Sequence, residues 1–196
     1  DVIEVIPHTA SDGTTYLWAT TSTGARRYRW SDSQGPQHIE SVWIGDGLLD
    51  AHVNGALIDP DCSFFFPNSN ASVTKECVAF ATNKGISAYN PNTTPATWYN
   101  HVAFTDFLNT STLDEVSIPA GPVTKLFAIR GDLLFTDMDG NASQETLDEI
   151  WVGTESYGLA RCTSDKTDVD TASNITIRLN CDVFRVQSTE FQTTYT

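Results

Sequence analysis

Apolar and polar positions alternate along this chain in short runs, cut at close intervals by glycine, proline, asparagine and serine. This is the grammar of β-strands joined by tight turns. In TTYLWATTSTGARRYRW (residues 14–30), two β-prone runs flank Ser22-Thr23-Gly24, the composition of a hairpin loop. IESVWI (39–44) alternates loosely and breaks at Gly45-Asp46-Gly47 before LLDAHV (48–53), and Asn54-Gly55 then supplies the strongest short hairpin signal. CSFFF (62–66) and ECVAFAT (76–82) extend the pattern, the latter turning at Asn83-Lys84-Gly85 into ISAY (86–89). Four hairpins are expected before residue 90.

NPNTTPAT (90–97) reads as a surface loop, because two prolines remove donors and push their predecessors towards extended backbone. It leads into Trp98-Tyr99-Asn100-His101, VAFTDF (102–107) and a Pro-Gly break at 118–122. The densest apolar pattern follows, VTKLFAIRGDLLFTDMDGNASQETLDEIWVG (123–153), in which Gly131-Asp132 suits a type II′ turn displaying Arg130, Gly131 and Asp132. Helical spacing is thin: Asn141 with Gln144, then Leu147, Ile150 and Trp151, predicts at most a two-turn helix. NITIRLNCDVFRV (174–186) changes phase midway, which predicts a bulged, long central strand. The expectation is one all-β domain over residues 1–196, an antiparallel β-sandwich or β-barrel with long surface loops and at most one or two short helices.

Composition narrows the functional classes. A length of 196 residues with 40% hydrophobic and 11% aromatic residues is enough for a filled core, and the five tryptophans are spread along the chain. The net charge of −14 repels phosphate backbones and anionic membranes, so neither nucleic acid nor membrane insertion is expected. Arg26, Arg27 and Arg29 read as one exposed strand face. Asp1-Val2-Ile3-Glu4 has neither a basic leader nor a long apolar core, and Asp1 reads as a cut end.

Candidate chemistry is sparse. There is no GxSxG, Walker loop or dinucleotide fingerprint, and the four histidines stand far apart in the sequence. Asp59 with Asp61, Asp114-Glu115 and Asp148-Glu149 are conceivable glycosidase pairs, but solvated surface is the default for carboxylates. Asp137-Met138-Asp139-Gly140-Asn141 mimics part of a calcium loop, yet the register puts Phe135 and Thr146 at ligand positions, and a turn explains it better. No catalytic residue, metal or cofactor is therefore expected. Cys62, Cys77, Cys162 and Cys181 allow two disulfides in three pairings, or four free thiols, and no CxxC spacing supports zinc. Sequons at Asn70, Asn92, Asn109, Asn141 and Asn174 suit a secreted glycoprotein.

Two recognition sites stand out. Arg130-Gly131-Asp132 resembles the integrin-recognition triplet, whose cation and carboxylate reach a complementary charge and a bound metal ion. Trp98, Tyr99, Asn100 and His101 offer an aromatic face beside amide and imidazole groups, suited to a sugar, with core packing of Trp98 as the plainer reading.

Few lysines, twenty-six threonines, proline-bounded loops, and segments such as TLDEIWVG (146–153) and SIPAGPVTKLFAIRGDLLF (117–135) give the chain a texture similar to the protruding spike domain of an astrovirus capsid, such as an avian one. That resemblance implies a two-sheet or barrel-like core, a homodimer on the virion surface, attachment to a host cell-surface receptor, protein or glycan, and recognition by neutralising antibodies. It also implies no enzymatic activity, and assembly in the host cytoplasm, where sequons stay unmodified and cysteines stay free. The alternative is a secreted carbohydrate-binding module or lectin.

Overall fold

The computed structural model describes residues 1–10, 12–60, 62, 64–66, 75–102, 122–136, 142–155, 158–165 and 178–184, with backbone alone at 101–102, 129–136, 142–148, 163–165 and 178–184. The protein is all-β. Among the described residues there are twelve strands in three four-stranded antiparallel sheets, one 3-10 turn (Ile44–Asp46) and no α-helix.

Each sheet is a meander. The first runs β1 (Val2–Thr9), β2 (Thr15–Thr21), β3 (Gly24–Ser31) and β4 (Gly35–Val42). The second runs β5 (Val53–Asp59), β6 (Cys77–Thr82), β7 (Gly85–Asn90) and β8 (Thr97–Val102). The third runs β9 (Val123–Thr136), β10 (Ala142–Thr154), β11 (Gly158–Asp165) and β12 (Arg178–Phe184). None of the three closes into a barrel.

The second sheet is the middle layer. Every residue of β6 and β7 is buried, because successive side chains leave a strand on opposite faces and both faces are covered. Cys77, Ala79, Ala81, Ile86 and Ala88 pack with Val123, Leu126, Ile150, Val152, Ala160 and Cys162 of the third sheet. Val78, Phe80 and Tyr89 pack with Trp18, Ala25 and Val42 of the first. Small residues predominate on the side facing the third sheet, where Phe64, Phe65 and Phe66 fill the remaining volume.

Several expectations are corrected. Asn54-Gly55 lies inside β5 at a register shift rather than at a hairpin turn. A Cβ on Gly55 would stand 2.7 Å from the Glu4 carboxylate, and Asn54 reaches out to the Val123 carbonyl at 2.8 Å. CSFFF is no strand: Asp59 accepts hydrogen bonds from the backbone N–H groups of Phe64 (3.1 Å) and Phe65 (3.4 Å) and holds the segment in turns. The helix predicted from Asn141 is strand β10, whose pairing with both β9 and β11 overrides weak helical spacing. β12 is an edge strand of the third sheet, not a central one, and residues 174–177 and 185–186 lie outside the described residues.

Among the described residues no cysteine is a free thiol. Cys62 and Cys77 form a disulfide (S–S 2.09 Å), and Cys162 is disulfide-bonded, with Cys181 directly across from it on β12.

Candidate functional site

The first of the two sites read from the sequence does not form the turn expected of it. Arg130, Gly131 and Asp132 sit in the middle of β9, opposite Asp148, Leu147 and Thr146 of β10, so the triplet is part of a ladder and not the tip of a turn. The ladder continues to Thr136 opposite Ala142, and 137–141 lie outside the described residues. A type II′ signal is local, and here thirteen paired positions between the two strands decide the reversal.

Trp98, Tyr99, Asn100 and His101 lie along β8, an edge of the middle sheet, so they alternate between its faces. The Trp98 ring is half-buried, 4.6 Å from Tyr89 and 6.3 Å from Phe80 between centroids. Gly47, with φ +121, covers it so closely that a Cβ there would stand 2.6 Å from the indole. Tyr99 packs on the other side against Phe66 at 4.9 Å, and burial pushes its phenol above the ordinary value. Asn100 donates to the Gly47 carbonyl at 3.0 Å, and His101 is placed by its backbone opposite Ile86. Packing, the plainer reading, is what the structure gives Trp98.

Of the carboxylate pairs, only Asp59 and Glu149 have described side chains. Asp59 is buried as the anchor of the Phe64–Phe65 turn, Glu149 is buried 3.7 Å from Arg161, and 61 and 114–115 lie outside the described residues. Of the sequons only Asn92 is described. Its amide nitrogen donates to the Lys75 carbonyl (2.8 Å) and to Asn90 Oδ1 (3.0 Å), and its oxygen accepts from the Lys75 N–H (2.9 Å), so this asparagine is built into the fold.

The exposed surface worth attention is on the first sheet. Of the nine large hydrophobic residues exposed among the described residues, Val2, Ile3, Val5, Trp30, Ile39, Trp43 and Ile44 belong to this sheet and the turn after it, leaving Phe127 and Leu159 elsewhere. Strand register arranges the outer face in the rows Val5–Ala19–Arg26–Ser41 and Pro7–Leu17–Tyr28–His38, with the pairs Thr9–Thr15 and Trp30–Pro36 beyond them. No carboxylate stands in any of them, although the chain carries 25. Tyr28 and His38 meet edge to face at 5.6 Å, and His38 Nε2 lies 2.9 Å from Ser41 Oγ.

The inner face carries the charges. Arg27 is 4% exposed; its guanidinium meets Glu76 at 2.7 Å and Glu40 at 3.9 Å and lies 4.0 Å over the Tyr16 ring. Glu76 also accepts from the Trp18 indole N–H at 3.4 Å. The longer contact is beyond hydrogen-bond reach, and burial, opposed by Arg27, raises the Glu40 carboxyl above its ordinary value. Burial likewise pushes the Tyr89 phenol up to about 12. Of the arginine cluster, Arg26 and Arg29 are exposed, while Arg27 belongs to the interior. Strand alternation carries the signal that separates Arg26 from Arg27.

At one end of the first sheet, the β1–β2 and β3–β4 turns bound an open groove of about 550 Å3 that includes Asp12, Thr14, Arg29, Trp30, Asp32, Gln34 and Gln37. The Trp30 indole N–H donates to Asp32 Oδ1 at 3.0 Å, and the Thr14 N–H donates to Asp12 Oδ1 at 2.8 Å, which holds the Asp12 carboxyl below its usual range. Sequence reasoning passed over this site because its residues are split between two turns that only the sheet brings together. Among the described residues no three histidine, cysteine or acidic side chains gather as a metal site would require. No protein-family model, curated protein or solved structure matches the chain.

Proposed function

We propose that this chain is a non-enzymatic attachment domain that engages a cell-surface receptor through the outer face of its first sheet, in the setting of an astrovirus-like capsid spike. The observation that carries the reading is the concentration of exposed apolar and aromatic side chains on the first sheet and the turn after it, Val5 and Trp30 among them on an outer face whose register rows hold no carboxylate, in a chain of net charge −14. Exposed apolar side chains gathered in one region mark interaction sites. The same face also suits two-fold association, since two strongly acidic chains meet with least repulsion where neither presents a carboxylate. The virion surface is then the place of action, with assembly in the host cytoplasm, and a disulfide is compatible with the oxidising exterior of a released particle.

The test is to apply the soluble domain to susceptible cells and measure both its binding and its competition with virus. Saturable binding and blocked infection are expected. A folded domain that neither binds nor competes overturns the attachment reading.

One observation favours a second reading. The Cys62–Cys77 disulfide and the bonded state of Cys162 fit a chain folded in a secretory compartment, as a secreted carbohydrate-binding module or lectin would be. The mass of the chain from its native source separates the two, because occupied sequons add mass and demand a secretory route.

A further inference from the structure

We infer that the groove between the β1–β2 and β3–β4 turns is a binding site for a neutral glycan, with Trp30 as its stacking platform. The argument begins with why the groove exists. Thr9 pairs with Thr15 and Ser31 with Gly35, and Tyr16 lies across from Arg29, so the two hairpins end side by side. Each turn contains a glycine in the left-handed region, Gly13 at φ +80 and Gly35 at φ +69, with no atom within 4 Å of where a Cβ would stand. The space around both glycines is open, and the groove lies between the two turns.

The lining has the composition sugars require. Trp30 is 42% exposed, and its bond to Asp32 fixes the plane of a ring that would otherwise rotate. A flat indole offers the aliphatic C–H face of a pyranose an apolar partner. Gln34 and Gln37 are bonded amide to amide, which orients their remaining donor and acceptor. Thr14 takes one oxygen of Asp12 and leaves the other to accept from a hydroxyl. The volume of about 550 Å3 lies within the range of small-molecule sites, about 300–1,000 Å3.

Charge selects among sugars. Two carboxylates, Asp12 and Asp32, stand against one guanidinium, Arg29, so the groove is net negative by one on a chain already at −14. Sugar hydroxyls donate well to such carboxylates, whereas the carboxylate of a sialylated glycan would be repelled. The ligand is therefore an uncharged oligosaccharide. This deepens the attachment reading and rests on it for its biological meaning, although binding itself is measurable in solution.

The experiment is a two-dimensional amide NMR titration of the whole chain with N-acetyllactosamine and maltotriose as neutral probes and sialyllactose as the anionic one. A neutral probe is expected to give saturable shifts at residues 12–15 and 29–37, and sialyllactose to bind at least about fivefold more weakly. Trp30→Ala should weaken the neutral probe by about tenfold or more, Asp32→Asn by less, and Trp43→Ala, outside the groove, not at all. The inference is overturned if neither neutral probe shifts these residues, if sialyllactose binds more tightly, or if Trp30→Ala, folded by the same spectrum, binds as wild type. Cell binding is read separately. Cell attachment by a wild-type chain whose groove takes neither neutral probe refutes the glycan site and leaves the attachment reading standing, and groove binding without cell attachment does the reverse.

Discussion

The two faces of the middle sheet are buried by opposite means. Towards the first sheet the contact is aromatic and charged: Trp18 meets Phe80 edge to face at 5.3 Å and Tyr89 at 6.3 Å, beside the buried Arg27–Glu76 pair. Towards the third sheet it is apolar and rich in small residues, with alanines at 79, 81, 88 and 160, three phenylalanines at 64–66 and two disulfide-bonded cysteines at 62 and 77. The difference teaches where each layer is vulnerable. A buried ion pair specifies one geometry and is costly to halve, whereas a cross-linked apolar layer tolerates small volume changes and depends on oxidation.

The largest expected effect is on the charged side. Arg27→Ala leaves Glu76 buried without its cation and should cost about 3–5 kcal/mol in denaturant unfolding. Replacing Arg27 and Glu76 together by Met and Leu should recover most of that loss. A small cost for Arg27→Ala would mean that the aromatic contacts alone hold the first sheet.

On the other side, the Cys62→Ala/Cys77→Ala variant releases a bridge spanning 15 residues and should lose about 3 kcal/mol, read by the same measurement. Asn92→Ala, which strips the Lys75 backbone of both its partners beside that bridge, should cost about 1–3 kcal/mol.

The smallest effect carries the most distinctive sign. Burial raises the folded-state value for Glu40 above the ordinary 4.5, so between the two the folded chain binds more protons than the unfolded one. Stability from this group therefore falls as pH rises through that window and is level above it, opposite to the usual carboxylate. Glu40→Gln should remove that component, and the difference between variant and wild-type stability curves over pH isolates it. A difference curve that rises and falls the other way would show that the Arg27 attraction, not burial, governs Glu40.

The same contrast explains what was legible in the sequence. The all-β class and the turns at Ser22–Thr23 and Asn83–Lys84 were legible because Gly24 (φ +126) and Gly85 (φ +135) answer a strictly local need. Asn54-Gly55 and Gly131-Asp132 carry similar turn chemistry and lie within strands, because there the partners are distant: β5 pairs with β6 across a register shift, and β9 pairs with β10 along its length. ECVAFAT reads as a buried strand, but nothing in it says that two different sheets cover its faces. The tryptophans show the same limit. Trp98 follows a proline-rich loop and looks displayed, yet Gly47 covers it, while Trp30, in an ordinary strand pattern, is left open by two turns that meet only in the fold.

The central claim is attachment through the first sheet's outer face, and cell binding by surface variants tests it most directly. Val5 and Trp30 are exposed, so Val5→Glu and Trp30→Ala should leave stability within about 0.5 kcal/mol. Binding of the labelled domain to susceptible cells should be saturable for wild type, should fall sharply for the Val5→Glu/Trp30→Ala variant, and should persist for Asp132→Ala. Undiminished binding by the double variant, or loss of binding by Asp132→Ala in folded protein, would contradict the account.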